Sequence, residues 1–184
     1  MMNDISIIPD SSFFICFLDD IGKPERLLEI INSSKFSLII GKMISQEIRK
    51  SENFFRISEE IHQKAIVYDY YEYGEAVKVF FSESEIEKGE HEIFVISYIF
   101  SLLERPFIAI IDDMDAKKFL KNNIQHPEFI VGTIGFLELC TCSYKVFIKE
   151  VSINILMSIK ESKFFVDPMI IDATIEKIRA CNCD

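Results

Sequence analysis

Six carboxylates stand where their chemistry could be used. Asp10 follows the apolar run Ile5–Ile8, directly after Pro9. Asp112 and Asp113 close the apolar run Phe107–Ile111. Glu47 comes shortly after the run Phe36–Ile40, and Glu90 and Glu92 open a long apolar stretch behind Gly89. Carboxylate oxygens are the hard donors that Mg2+ and Mn2+ prefer. Gathered in their ionised form, such groups raise one another's pKa. A divalent cation removes that penalty and turns the crowd into a site.

Each acid also has a plainer reading. An aspartate at a strand end is commonly a helix cap or turn former. Glu47 alone reads as a surface helix residue, and Glu90 and Glu92 could simply favour a helix N-terminus. Glu92 is the exception. Helical steps from it meet Ile96, Ile99 and Leu103, so it shares a face with core residues. A carboxylate there needs a partner, because burying an unpaired charge is costly. Glu90 shares its side with Phe94, Ser97 and Ser101, a more polar stripe. Of the two, Glu92 is the better ligand candidate.

The elements that must position these acids alternate. Strands are expected at Ile5–Ile8, Phe36–Ile40, Phe107–Ile111 and Phe129–Val131. Helices are expected from Pro24, from Ser45 to Lys50, from Glu90 to Glu104, from Met114 to Lys121 and from Thr133 to Cys142. Two more follow at Lys149–Ser162 and Pro168–Ala180. The segment from about Phe54 to Glu87 reads less clearly, and its aromatic run at 66–73 suits either a strand or a helix. Short apolar strands between helices imply a parallel sheet covered on both faces. Ligands of such sheets sit beyond the carboxyl ends of the strands, which is where these acids fall.

Composition narrows the classes. The chain has 184 residues, a formal charge of −10 and 17 Phe, with a pI near 4.9. Disorder is excluded by the apolar content. Holding nucleic acid by bulk positive charge is excluded by the acidity. No membrane-spanning run and no basic leader is read, so a cytoplasmic protein is expected. Cys140-x-Cys142 and Cys181-x-Cys183 lack zinc-ribbon spacing and read, with Cys16, as reduced thiols. His62, His91 and His126 read as surface residues. No nucleophilic triad and no G-x4-G-K phosphate loop is present.

The same residues resemble a known family, the PIN domains. The stretch IIPDSSFFI from Ile7 is similar to the family's opening, a strand, Asp10, then small hydroxyl residues. MISQEI resembles its second acidic segment, KGEHEI the G-E-x-E opening of one prokaryotic branch, and FIAIIDDMDAKK its fourth segment. IVGTIGFL and the C-terminal FFVDPMIIDATIEKI resemble that branch's closing parts, so the resemblance runs from about Ile5 to Ile178. Ile93 and Lys117 depart from it, standing where a small residue and an Arg are more usual.

The resemblance implies one PIN-like domain over residues 1–184, with a core over about 5–143 and added C-terminal helices over about 149–180. It implies a three-layer α/β/α fold and a Mg2+- or Mn2+-dependent ribonuclease, often the toxin of a toxin–antitoxin pair. Its catalytic and metal-binding set would be Asp10, Glu47, Glu92 and Asp112, with Asp113 as a further metal ligand. Ser12 and Thr133 would support the site through their hydroxyls. Lys117, Lys118 and Lys121 follow the acid pair on a helix and are candidates for phosphate contact. The expected partners are RNA and an antitoxin protein, with no membrane; the Phe and Ile content makes a homodimer plausible. The competing classes are a catalytically silent PIN-like interaction module and a phosphoacceptor domain. The second lacks a convincing strand-end lysine.

Overall fold

The structure, a computed structural model, describes residues 5–68 and 89–182. The molecule is α/β: a five-stranded parallel sheet flanked by helices. Strand β1 (Ile5–Pro9) is central, with Ile7 and Ile8 buried. After it come α1 (Ser11–Ile15), a π-type turn at Cys16–Asp20, and α2 (Pro24–Ile31), where proline occupies the first turn. Strand β2 (Phe36–Gly41) runs straight into α3 (Lys42–Ile48). A 3-10 turn at Phe54–Arg56, α4 (Ser58–Lys64) and β3 (Ile66–Tyr68) follow. The rest of the expected aromatic run and of the 54–87 segment lies outside the described residues.

The second half begins with α5 (Gly89–Leu102), then β4 (Phe107–Ile110) and α6 (Met114–Asn123). A 3-10 turn at Pro127–Phe129 leads to β5 (Ile130–Val131). Helices α7 (Thr133–Cys142), α8 (Lys149–Glu161) and α9 (Pro168–Ala180) end the chain, and α9 packs on both α7 and α8. The sheet order is β3-β2-β1-β4-β5. The chain thus winds to one side of β1 and later returns to the other. The break in direction lies between β1 and β4, and it is at such switch points that α/β sheets open a crevice.

Buried Phe side chains fill the core. Phe13 packs edge-on against Phe14, Phe17 and Phe136, with ring centroids 5.4–5.7 Å apart. Such T-shaped pairs suit the ring quadrupole. The helix over 42–48 starts earlier than the expected Ser45, so Glu47 falls in its last turn. Gly41, extended at φ −85° and ψ 168°, lets the strand turn into the helix without a linker. Cys16, Cys140 and Cys142 are free, whereas Cys181 is disulfide-bonded, against the expectation of reduced thiols throughout. Cys183 lies outside the described residues. Among the described residues no helix is long and apolar enough to cross a membrane.

Candidate functional site

Register brings the first two acids together. Pro9 of β1 pairs with Ile110 of β4, and the Asp10 amide donates to the Ile110 carbonyl at 2.9 Å. Asp10 and Asp112 therefore leave neighbouring strands side by side at the switch point. The Asp112 amide donates to Asp10 Oδ2 at 3.1 Å. Asp10 Oδ1 accepts from Ser12 Oγ at 2.6 Å and from the Phe13 amide at 2.9 Å, so it also caps α1. Ser12 Oγ also lies 3.3 Å from Asp112 Oδ2 and links the two carboxylates.

Thr133, fully buried, fixes Asp112 from the other side. Its amide donates to Asp112 Oδ1 at 2.9 Å and its hydroxyl to Oδ2 at 2.5 Å. Gly132 stands at the N-cap of α7 with no side chain to offer. A Cβ built there would lie 2.8 Å from Asp112 Oδ1 and 2.9 Å from Lys117 Nζ. The remote carboxylate thus occupies the space of the missing cap side chain and accepts the first amide of the helix.

The same device recurs at α3. Gly41 is its N-cap, and a Cβ there would lie 1.7 Å from Glu92 Cδ. Glu92 reaches from α5 and accepts from the amides of Met43 at 3.1 Å and Ile44 at 3.0 Å. It is 1 % exposed. The end of a helix thus supplies the partner that its place on a core face demands. Glu92, expected among the ligands, is not among the residues that line the cleft. Glu47, three residues beyond the capped Ile44 amide of α3, does line the cleft. The Glu90 side chain lies outside the described residues.

The cleft itself has a volume of about 620 Å3 and opens at the carboxyl end of the sheet. Asp10, Ser12, Glu47, Asp112 and Asp113 line it. Asp113 is exposed and spends Oδ1 on the Ala116 amide at 2.7 Å, capping α6. Lys117 is half-buried beside Asp112, whereas Lys118 and Lys121 are exposed on α6 and do not line the cleft. Lining residues that were not anticipated include Asp20, Lys163, Phe164 and Phe165. Asp20 is delivered by the π-type turn, a feature frequent at functional sites. Its signal in the sequence is the pair Asp19-Asp20 ending an apolar run, as Asp112-Asp113 does. Lys163 Nζ stands 3.8 Å from Asp20 Oδ1.

Charge in the cleft is uneven. Burial is the main force pushing the Asp10 carboxyl from its ordinary 3.8 to about 6, and the charge on Asp112 adds to it. The hydrogen bonds from Ser12, Phe13 and Asp112 pull the other way. Burial also raises Asp20, opposed by Lys163, and raises Glu92, opposed by the amides of Ile44, Met43 and Lys42. Among the described residues, no three His, Cys, Asp or Glu side chains are gathered closely enough to form a ready-made metal cluster. Asp10 and Asp112 are linked as a pair through Ser12 and the Asp112 amide. In comparisons with known proteins, the chain matches no family model, no curated protein and no solved structure.

Proposed function

We propose that the chain is a PIN-like, divalent-metal-dependent ribonuclease acting as the toxin of a toxin–antitoxin pair. The observation that carries the reading is the Asp10–Asp112 pair, locked side by side by Ser12 and Thr133 at the switch-point cleft. The donor set suits Mg2+ or Mn2+: hard oxygens, one of them in a carboxyl whose ionisation is opposed by burial and by its neighbour. Mg2+ is usually held by one or two carboxylates, with waters completing its shell. A pair therefore suffices where a gathered trio is lacking.

Asp10 and Asp112 would hold the ion directly. When bound, it supplies positive charge to a phosphate and acidifies water. Ser12 and Thr133 keep the two carboxylates oriented, as outer hydrogen-bond partners do. Glu47, on the same cleft, takes the proton of an attacking water. Lys163 meets a phosphate at the rim. Glu92 is a positioning residue: by holding the first turn of α3 it sets where Glu47 stands.

RNA cleavage in Mn2+ tests the reading. Wild type is expected to cleave, and Asp10→Asn to lose that cleavage with its circular dichroism unchanged. Cleavage by Asp10→Asn at the wild-type rate overturns the assignment. A second reading, a catalytically silent interaction module, is favoured by the lack of a gathered trio of ligands among the described residues. No rise in Tm with Mn2+ would support that module instead.

A further inference from the structure

The connection between α8 and α9 lines the cleft through Lys163, Phe164 and Phe165, and its side chains alternate in exposure. Phe164 and Val166 pack on the core, while Lys163 and Phe165 face outward. In an extended segment, every second side chain falls on the same side. Both ends are pinned. The Ser162 hydroxyl donates to the Ile159 carbonyl at 2.8 Å and accepts from the Phe164 amide at 3.0 Å. Asp167 accepts from the Met169 amide at 2.9 Å. Phe165 is thus held out by a braced backbone. Its 102 % exposure means that its ring gives the fold no burial, yet it lines the same cleft as Asp10 and Asp112.

We propose that Phe165 is a stacking platform for an unpaired nucleobase, with Lys163 meeting the adjacent phosphate, so that the cleft takes single-stranded RNA. The proposal rests on the ribonuclease reading above and names its substrate class. Every base has a π-face, and an aromatic ring takes it without reading sequence. In a duplex that face is already covered by the next base pair, so only a splayed strand can offer it. The charge of the chain points the same way. With a net charge of −10, bulk attraction for phosphates is absent, so a stacking contact, which does not depend on charge, adds affinity that the chain's overall charge does not supply. Lys163 is the cation at the rim, and its 3.8 Å contact with Asp20 is long enough to be exchanged for a phosphate.

The test uses a fluorescein-labelled single-stranded RNA of about eight nucleotides, within the site sizes of such grooves. An abasic strand of the same length is the control, and Ca2+ replaces Mn2+ so that binding is read without cleavage. Phe165→Ala is expected to weaken RNA binding about tenfold or more, the effect of losing one stacked base. Phe165→Leu, which keeps bulk without a π-face, should weaken it similarly, and Phe165→Trp should retain it. None of the three should change abasic binding. Lys163→Ala should lower the salt slope by about one, whereas Phe165→Ala shifts the whole line.

Equal RNA affinity for wild type and Phe165→Ala overturns the platform. So does an equal loss on the abasic strand, or a loss confined to self-association in sedimentation, which would make Phe165 a contact between copies of the chain. The Mn2+-dependent rise in Tm keeps the two readings apart. Its absence in wild type overturns the nuclease reading and the platform with it. Its presence, with RNA affinity unchanged in Phe165→Ala, overturns the platform alone.

Discussion

Asp10 is asked to carry a charge that its surroundings resist. Capping α1 favours the ionised form, while burial and Asp112 favour the neutral one, and the carboxyl titrates near 6. The consequence for stability has a definite sign. Between about pH 4 and pH 6 the folded chain keeps a proton that the unfolded chain has released. Without divalent ions, this group's contribution is therefore greatest below pH 4, falls as pH rises to about 6, and is level above that. The loss is about 3 kcal/mol. Subtracting the Tm profile of Asp10→Asn from that of wild type, in EDTA, should expose this fall; a flat difference removes the account. Thr133 makes a second prediction. Thr133→Val keeps the shape but deprives Asp112 of a hydroxyl donor. It should cost about 1.5–3 kcal/mol in urea unfolding and weaken Mn2+ binding about 10–100-fold, read from the metal dependence of Tm.

Between the elements, the shared device is a glycine N-cap filled by a distant carboxylate. At Gly41 the backbone is ordinary for any residue, so the demand for glycine is one of space alone. Gly41→Ala must expel the Glu92 carboxylate and strand a buried charge, which should cost about 3–5 kcal/mol. Glu92→Gln keeps the volume but turns one acceptor into a donor facing an amide, a loss of about 1–3 kcal/mol. The steric argument also makes the two sites non-additive. In a Glu92→Ala background, Gly41→Ala should cost at least about 1 kcal/mol less than it does alone. A double-mutant cycle in urea with no coupling would show that the two residues do not compete for one space.

For the whole molecule, the excess of acids and the cleft act together. Thirty acidic against twenty basic residues leave a self-repulsion that any salt relieves. A specific site must do more than screen. At a Mn2+ concentration about a hundred times its Kd, binding should add about 2.7 kcal/mol, a rise in Tm of roughly 5–10 °C for a chain of this size. NaCl at equal ionic strength should give much less, and Asp10→Asn should abolish the difference. An equal rise with NaCl would mean screening and no site.

Legible in the chain itself were the pieces set by neighbours in sequence. Ile- and Phe-rich runs make strands that prefer burial, Pro24 and Pro168 open helices, and the strand-end acids Asp10 and Asp112 stand where a parallel sheet opens its crevice. Glu92 was recognisable as a carboxylate in need of a partner, because helical period put it on an apolar face. Which partner it takes was decided only by how α5 packs against α3, and it proved to be a pair of amides. Asp20 reaches the cleft through a π-type turn, marked only by an acid pair at the end of an apolar run, and Lys163 and Phe165 reach it through a connection between helices, where no local pattern marks them. Residue types and short spacings are governed by local propensity and burial, whereas strand register and helix docking join segments far apart in the chain. Those long-range contacts alone determine which acids share a cleft.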